Sequence, residues 1–228
     1  DALIKAGISE IFVALEDPNP LVSGKGLELM TAAGLQVNTG LLSEEAEVLL
    51  AGYIARMRRG RGRVRVKLAM SLDGRTAMPS GESKWITNET ARQNVQLLRA
   101  QSCAIMTGIG TVMADDCELT TRFTDSRVFS QEKEMKLSST LRVLLDSNIR
   151  VPKGARILSK DAPTLVIHNQ GQNHDTQLPE HVEHQSIKSN ERGLDLDEVM
   201  NILNNRCCNE ILVESGSRLA GSLLCAGL

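Results

Sequence analysis

The sequence predicts an α/β fold in which a sheet is covered by helices. Three observations carry that expectation. From residue 64 onward, short β-branched runs alternate with amphipathic helical phrases. Two of those runs pass through glycine straight into a helix. The composition, 41% hydrophobic and 24% charged over 228 residues, is that of a chain able to bury a core. At roughly 150 residues per domain, the length allows one large domain or one and a half. No apolar run approaches the ~20 residues that span a bilayer, so no membrane partner is expected. A formal charge of -2 supplies no field for nucleic acid, and five aromatic side chains are few for base stacking, so nucleic acid is not an expected partner either.

Residues 8–15 read as a buried strand, ended by Asp17, Pro18, Asn19 and Pro20. A helix is predicted over 25–33 and a strand near 36–39. Ser43 then opens a long helix towards Arg56, with Glu45 and Glu47 early and arginines late, as the helix dipole prefers. The arginine-rich run 56–63, with two glycines, reads as a solvated helix end and linker, or as a basic patch if nucleic acid were the partner. A boundary near Arg61 gives domains 1–61 and 62–228. Beyond it, strands are predicted over 64–71, 104–107, 142–146, 164–168 and 210–214, and helices over 89–101, 195–205 and 217–226. Residues 124–139 and 169–192 read as polar connectors without periodicity.

Cys103, Cys117, Cys207, Cys208 and Cys225 contain no C-x2-C pair and no nearby His to complete a zinc site, so they read as reduced thiols of a cytoplasmic protein. The chain begins inside a helical phrase without a leader and stops directly after the run 219–226, which reads as a piece of a longer protein.

Several residues are candidates for chemistry. Alternation over 64–71 puts Lys67 on one face with Arg65, Ala69 and Ser71, leaving room for a ligand beside a cation; a solvated edge-strand lysine is the plainer alternative. Trp85, the only tryptophan, follows the loop 80–83 and lies between Ser83, Lys84 and Thr87, suited either to a planar ligand or to the core. Helix 89–101 carries Ala91, Val95 and Leu98 as its buried stripe, with Arg92 and Arg99 on its border; Arg99 is either a phosphate ligand or an ordinary surface arginine. The turns 107–111 and 214–221 each deliver glycines to a helix start, where backbone N–H groups can receive phosphate. Neither is a full G-x-G-x-x-G. Two such turns in one sheet suggest a dinucleotide cleft, and tight strand–helix packing is the alternative. Glu214 ends its strand on the side of Leu212, opposite Ile211 and Val213, and is expected to face a ligand.

Taken together, VKLAMSLDGRTA (66–77), GESKWIT (81–87), LRAQS (98–102), TVMADD (111–116), LTTR (119–122) and LVESGSRLAG (212–221) resemble the reductase half of the bifunctional riboflavin biosynthesis deaminase/reductase family. Those enzymes combine a diaminohydroxyphosphoribosylaminopyrimidine deaminase with a 5-amino-6-(5-phosphoribosylamino)uracil reductase. Upstream, DPNPLVSGKG (17–26) and residues 41–46 look like the tail of the family's zinc deaminase domain. The resemblance implies a dihydrofolate-reductase-like reductase domain preceded by the C-terminal part of a cytidine-deaminase-like α/β domain. It also implies NADPH as cofactor and reduction of the ribosyl side chain of a phosphoribosyl pyrimidine to ribityl. Carried onto matching positions, cofactor contacts fall on Ala69, Trp85, Thr111, Asp115, Ser147, Gly216, Ser217, Arg218, Leu219, Ala220, Gly221 and Ser222. Substrate contacts fall on Ser83, Arg99, Leu119, Arg122 and Glu214, with Arg99 and Arg122 on the 5′-phosphate. Lys67 and Glu214 are the candidate catalytic groups for the proton, with solvent as a third. Cys117 replaces the family's usual Pro and Ser215 a Gly or Ala. The H-x-E and P-C-x-x-C zinc ligands are not in this chain, so zinc belongs to the missing part of the deaminase domain and deamination is not expected here. The full-length protein is expected to be a homo-oligomer, with further strands and dimer contacts after Leu228. The alternatives are another dihydrofolate-reductase-like NADPH reductase acting on a pterin or pyrimidine, and a nucleotide-binding module without turnover.

Overall fold

The computed structural model describes residues 1–83, 85–122, 140–171, 178–191 and 193–228. The expected connector 124–139 lies outside the described residues, as do Lys84 and, within the second connector, 172–177 and Arg192. The chain forms two compact units, Asp1–Arg63 and Val64–Leu228.

The first unit contains α1 (Ala2–Lys5), β1 (Glu10–Val13), α2 (Lys25–Ala32), β2 (Gln36–Thr39), α3 (Ser43–Leu49) and α4 (Ala51–Arg59). β1 and β2 pair in parallel from Glu10↔Gln36 to Val13↔Thr39. The strand expected over 8–15 is therefore shorter, and it is not buried: exposure alternates along it and Phe12 is 60% exposed. A sheet of two strands has too few neighbours to cover both faces. The expected long helix is two helices, because Leu50 (φ -101°, ψ 13°) breaks the ladder between α3 and α4. Nor does Ser43 cap. It is the first helical residue after a left-handed Leu42 (φ 57°). α4 ends at Gly60 (φ 70°) with Arg56, Arg58 and Arg59 in its last turn, where cations suit the dipole. Asp17 Oδ1 accepts the Tyr53 hydroxyl at 2.7 Å and the Asn19 N–H at 2.9 Å, pinning the proline-flanked loop to α4.

The second unit begins with β3 (Arg63–Lys67), α5 (Glu89–Ala100), β4 (Ala104–Gly108), α6 (Ile109–Asp115) and β5 (Leu141–Leu145). It continues with β6 (Thr164–Asn169), β7 (Glu183–Ile187), β8 (Ser189–Asn190), β9 (Gly193–Leu194), α7 (Leu196–Asn205), β10 (Glu210–Glu214) and α8 (Ser217–Cys225). Among the described residues six strands form one sheet in the order β3-β10-β4-β5-β6-β7, and β10 through β7 pair in parallel. Alternate residues go to opposite faces. Ala104, Met106, Val143, Leu165, Ile167 and Val213 meet Val199, Met200 and Leu203 of α7 and Leu223 of α8. Ile105, Leu144, Val166 and Leu212 meet Ile109 and Val112 of α6 together with Leu119, Val151 and Ile157.

Three further expectations change. The strand predicted over 64–71 stops at Lys67. Downstream, Ser71 and Arg75 close a tight turn: Ser71 N donates to Arg75 O at 2.9 Å, and Gly74 (φ 79°) donates to Ser71 O. Ala69 and Ser71 therefore do not share the pleat of Lys67. Within the connector 169–192, residues Glu183–Ile187 form an edge strand of which only Ile187 is buried, so no apolar run announces it. The stripe of α5 is shallow, with Ala91 exposed and Val95 and Leu98 half-buried. α7 is capped by Asp195, whose Oδ1 accepts from Asp197 N at 3.0 Å and Glu198 N at 3.2 Å. Among the described residues no helix is long and apolar enough to cross a membrane.

Leu144 is fully buried at the centre of the sheet, and Leu224 is 74% exposed. Leu144→Ala is expected to lower the unfolding free energy by about 2–5 kcal/mol. Leu224→Ala should stay within about 0.5 kcal/mol of the parent chain, and Asp195→Ala should cost about 1 kcal/mol. Urea denaturation of the three variants measures this, and equal losses at Leu144 and Leu224 would contradict the assigned core.

Candidate active site

Where β4 and β10 end, side by side, the second unit holds a cleft of about 1600 Å³. Its wall includes Lys67, Ala69, Ser83, Trp85, Arg99, Thr111, Asp115, Leu119, Arg122, Ser147, Glu214, Gly216, Ser217, Arg218, Leu219 and Ser222. Of the residues singled out from the sequence, Ala220 and Gly221 are not in that wall. Ala220 is a buried residue of α8.

Both glycine turns open here. Gly108 precedes α6 and Gly216 precedes α8, each in extended backbone and each an N-cap residue with no side chain to offer the helix start. Apart from chain neighbours and local helix backbone, no atom of the described residues lies within 4 Å of where a Cβ on Gly110 or Gly216 would stand, and neither has a positive φ. Packing and backbone conformation therefore do not demand glycine at either position. Space is left over helix starts whose first N–H groups have no intrahelical partner, which suits an anion.

Glu214 reaches the cleft because β10 alternates: Leu212 faces the α6 side of the sheet, and Glu214 is two residues on. Arg99 meets it there. Nε donates to Oε1 at 2.5 Å and Nη2 to Oε2 at 3.0 Å, while Nη1 donates to Thr120 O at 2.9 Å. The two side chains are 13% and 11% exposed, so this is a bidentate, largely desolvated pair. Arg99 is not an ordinary surface arginine, because it joins α5, β10 and the segment after α6.

That segment is held from several sides. Asp116 (φ 44°) and Leu119 (φ 53°) lie in the left-handed region, which costs energy for residues with a side chain. Leu119 is 3% exposed, and its burial among Ile105, Val112 and Leu144 anchors the turn. Arg142, 0% exposed on β5, donates through Nη1 to Glu118 O at 3.2 Å and Ser159 Oγ at 3.1 Å. Its Nη2 donates to Ser159 O at 2.5 Å and Ala162 O at 2.6 Å. Burial pulls this guanidinium below its usual pKa, and the charges of Asp161 and Glu118 oppose the shift. Glu118 Oε2 accepts from Nη2 of both Arg122 and Arg156. Arg122 N also donates to Gln96 Oε1 at 2.8 Å.

Trp85 is not a core residue. It is 74% exposed, with the Arg92 guanidinium 4.4 Å from its ring centroid and Arg92 Nη1 donating to Thr87 O at 2.7 Å. Sequence reasoning did not single out Glu118, Arg142 or Arg156. Only Arg142 carried a signal, since alternation along β5 puts it on the face of Leu144. Among the described residues no group of three His, Cys, Asp or Glu side chains is arranged to hold a metal ion.

Residues 63–228 match the model of the family described as the RibD C-terminal domain. The chain is 43% identical over 230 residues to the riboflavin biosynthesis protein RibD of Escherichia coli K12, covering 100% of this chain and 62% of that protein. Against RibD of Haemophilus influenzae the identity is 40%, covering 99% and 60%. Among solved structures, Acinetobacter baumannii RibD superposes with a TM-score of 0.85 at 38% identity, covering 100% of this chain and 60% of that one. The Thermotoga maritima diaminohydroxyphosphoribosylaminopyrimidine deaminase/5-amino-6-(5-phosphoribosylamino)uracil reductase gives 0.81 at 30% identity, covering 98% and 58%. The chain spans about three-fifths of the length of the curated relatives it matches. The fold is the expected one, α/β with a dihydrofolate-reductase-like unit.

Cys117 lines the cleft, and burial first, then the charges of Asp115 and Glu214, push its thiol up to about 11. At pH 8 it is a neutral thiol and a poor nucleophile. Iodoacetamide at that pH should label the exposed Cys103, Cys207 and Cys225 first and leave Cys117 unmodified until the pH approaches 11. Peptide mass spectrometry reads this, and labelling of Cys117 as fast as Cys207 would contradict the assigned environment.

Proposed function

Residues 63–228 belong to the RibD C-terminal domain family, and on that premise we propose that this cleft reduces the ribosyl side chain of 5-amino-6-(5-phosphoribosylamino)uracil to ribityl with NADPH. The observation that carries the reading is the meeting, in one cleft, of two glycine-led helix starts with the Arg99–Glu214 pair and Arg122.

The residues present fit a dinucleotide. The open space over Gly216 and the α8 start suit a pyrophosphate, Arg218 suits the additional phosphate of NADPH, and Trp85 offers an exposed ring to a planar group. Ala69, Thr111, Asp115 and Ser147 line the same space. When bound, the cofactor supplies hydride to C1′ of the opened sugar. The chain's own part is orientation, which is where hydride transfer gains most. Arg122 takes the 5′-phosphate. Arg99 is assigned to hold Glu214, because its nitrogens are already engaged by that carboxylate and by Thr120. Glu214, fixed in this way, accepts hydrogen bonds from sugar hydroxyls, while Ser83 and Leu119 shape the substrate side. The proton then falls to Lys67 at the end of β3, or to solvent.

Residues 1–61 are read as the C-terminal part of the deaminase domain, whose zinc would be held by other parts of the whole protein. The same reading makes that protein a cytoplasmic homo-oligomer with its cysteines reduced.

Absorbance at the reduced-nicotinamide band should fall on adding the phosphoribosylamino-uracil together with NADPH, and kcat/KM should favour NADPH over NADH. Saturable NADPH binding with no substrate-dependent oxidation would overturn the reading. Arg99→Ala leaves Glu214 as an unpaired, nearly buried charge, so it should cost about 3–5 kcal/mol of stability and about ten- to a hundredfold in kcat/KM. Adding Glu214→Gln to Arg99→Ala should recover part of the stability, and strictly additive losses in the double variant would show that the pair is not coupled.

A further inference from the structure

Glu118 stands where two cations converge. One of its oxygens, Oε2, accepts from Nη2 of Arg122 and Nη2 of Arg156 at once. The carboxylate is 17% exposed, while the arginine side chains are 58% and 54% exposed and both line the cleft. Their backbones are pinned. Arg122 N donates to Gln96 Oε1 at 2.8 Å and Arg156 N to Asp116 Oδ1 at 3.0 Å. Glu118 itself is fixed from behind, since the buried Arg142 donates to its carbonyl oxygen. Two guanidiniums on held backbones therefore share one oxygen of a monoanion, and a third cation sits beneath.

A carboxylate oxygen between two guanidiniums occupies the place that an oxygen of a phosphate monoester takes between the same forks. We infer that Arg156 and Arg122 form a clamp for a phosphate monoester dianion, with Glu118 as the internal anion that keeps both guanidiniums aimed until the ligand arrives. The dianion draws the guanidiniums away from the shared oxygen because it presents three acceptor oxygens and a second negative charge. Arg156 thereby becomes a phosphate-specificity residue on a segment separate from those bearing Arg99 and Glu214. The inference deepens the reductase reading and rests on it for the identity of the ligand. The same chemistry is present in the 5′-phosphate of the substrate and in the 2′-phosphate of NADPH.

Calorimetric titration of the 228-residue chain with ribose 5-phosphate, ribose, adenosine 2′-monophosphate and adenosine separates these sources. Arg156→Ala should weaken one of the two phosphates about ten- to a hundredfold relative to its unphosphorylated partner. Ribose 5-phosphate as the affected ligand identifies the substrate's phosphate, and adenosine 2′-monophosphate the cofactor's; either supports the clamp. Glu118→Gln removes the competing charge and should tighten the same phosphate, an effect opposite in sign to that of a merely structural glutamate. Arg156→Lys, which keeps the charge without the fork, should fall between the parent and Arg156→Ala, and it carries the test if the alanine variant does not fold. Parental affinity for both phosphates in Arg156→Ala, or weakened binding in Glu118→Gln, overturns the clamp. Arg156-dependent phosphate binding in a chain that oxidises no NADPH would instead overturn the reductase reading and leave the clamp standing.

Discussion

Parallel pairing puts the carboxyl ends of β10, β4, β5 and β6 along one edge of the sheet, and each strand is reached only by a crossover on one face or the other. Both faces are therefore covered, and the alternation of every central strand is fixed by burial rather than by local preference. A slip of one residue in β10 would carry Leu212 out of one core layer and turn Glu214 away from the cleft. The site is in this sense a by-product of register. Helices α6 and α8 begin at adjacent points because β4 and β10 are hydrogen-bonded neighbours, although more than a hundred residues separate them in the chain.

Arg142 shows what that arrangement asks of a polar side chain inside it. The residue is fully buried, and most of its guanidinium's partners are main-chain carbonyls rather than a carboxylate. A cation in such a place is tolerated only if its hydrogen bonds are nearly complete, and four contacts from Nη1 and Nη2 come close to that. In return it fixes carbonyl groups of segments that have no strand or helix partner of their own. One of them continues into Leu119, Thr120 and Arg122, so the sheet core and the cleft wall are held by the same side chain.

The central strands were legible because β-branched and aliphatic runs mark them: β4, β5, β6 and β10 lie within a residue of where periodicity puts them. The edge was not. β7 is exposed at Glu183, His184, Gln185 and Ser186, so it lacks the apolar signal, and β3 stops early because the turn at Ser71 closes on itself. Leu50 interrupts what reads as one helix without any proline or glycine to mark the break. In the cleft, the glycine turns and Glu214 were visible as local patterns. The pairing of Arg99 with Glu214 was not, since 115 positions separate them. Glu118 and Arg156 likewise acquire meaning only when folding brings a loop and a short 3-10 turn together.

Trp85 is the chain's only indole, and Tyr53, the only tyrosine, belongs to the other compact unit. With its ring largely exposed beside Arg92 at the rim of the cleft, Trp85 makes the molecule's long-wavelength ultraviolet emission come from a single address. The emission should be that of a water-exposed fluorophore, and a reduced nicotinamide arriving in the cleft would take up its excitation by energy transfer. The protein thus carries a built-in optical probe of its own cleft.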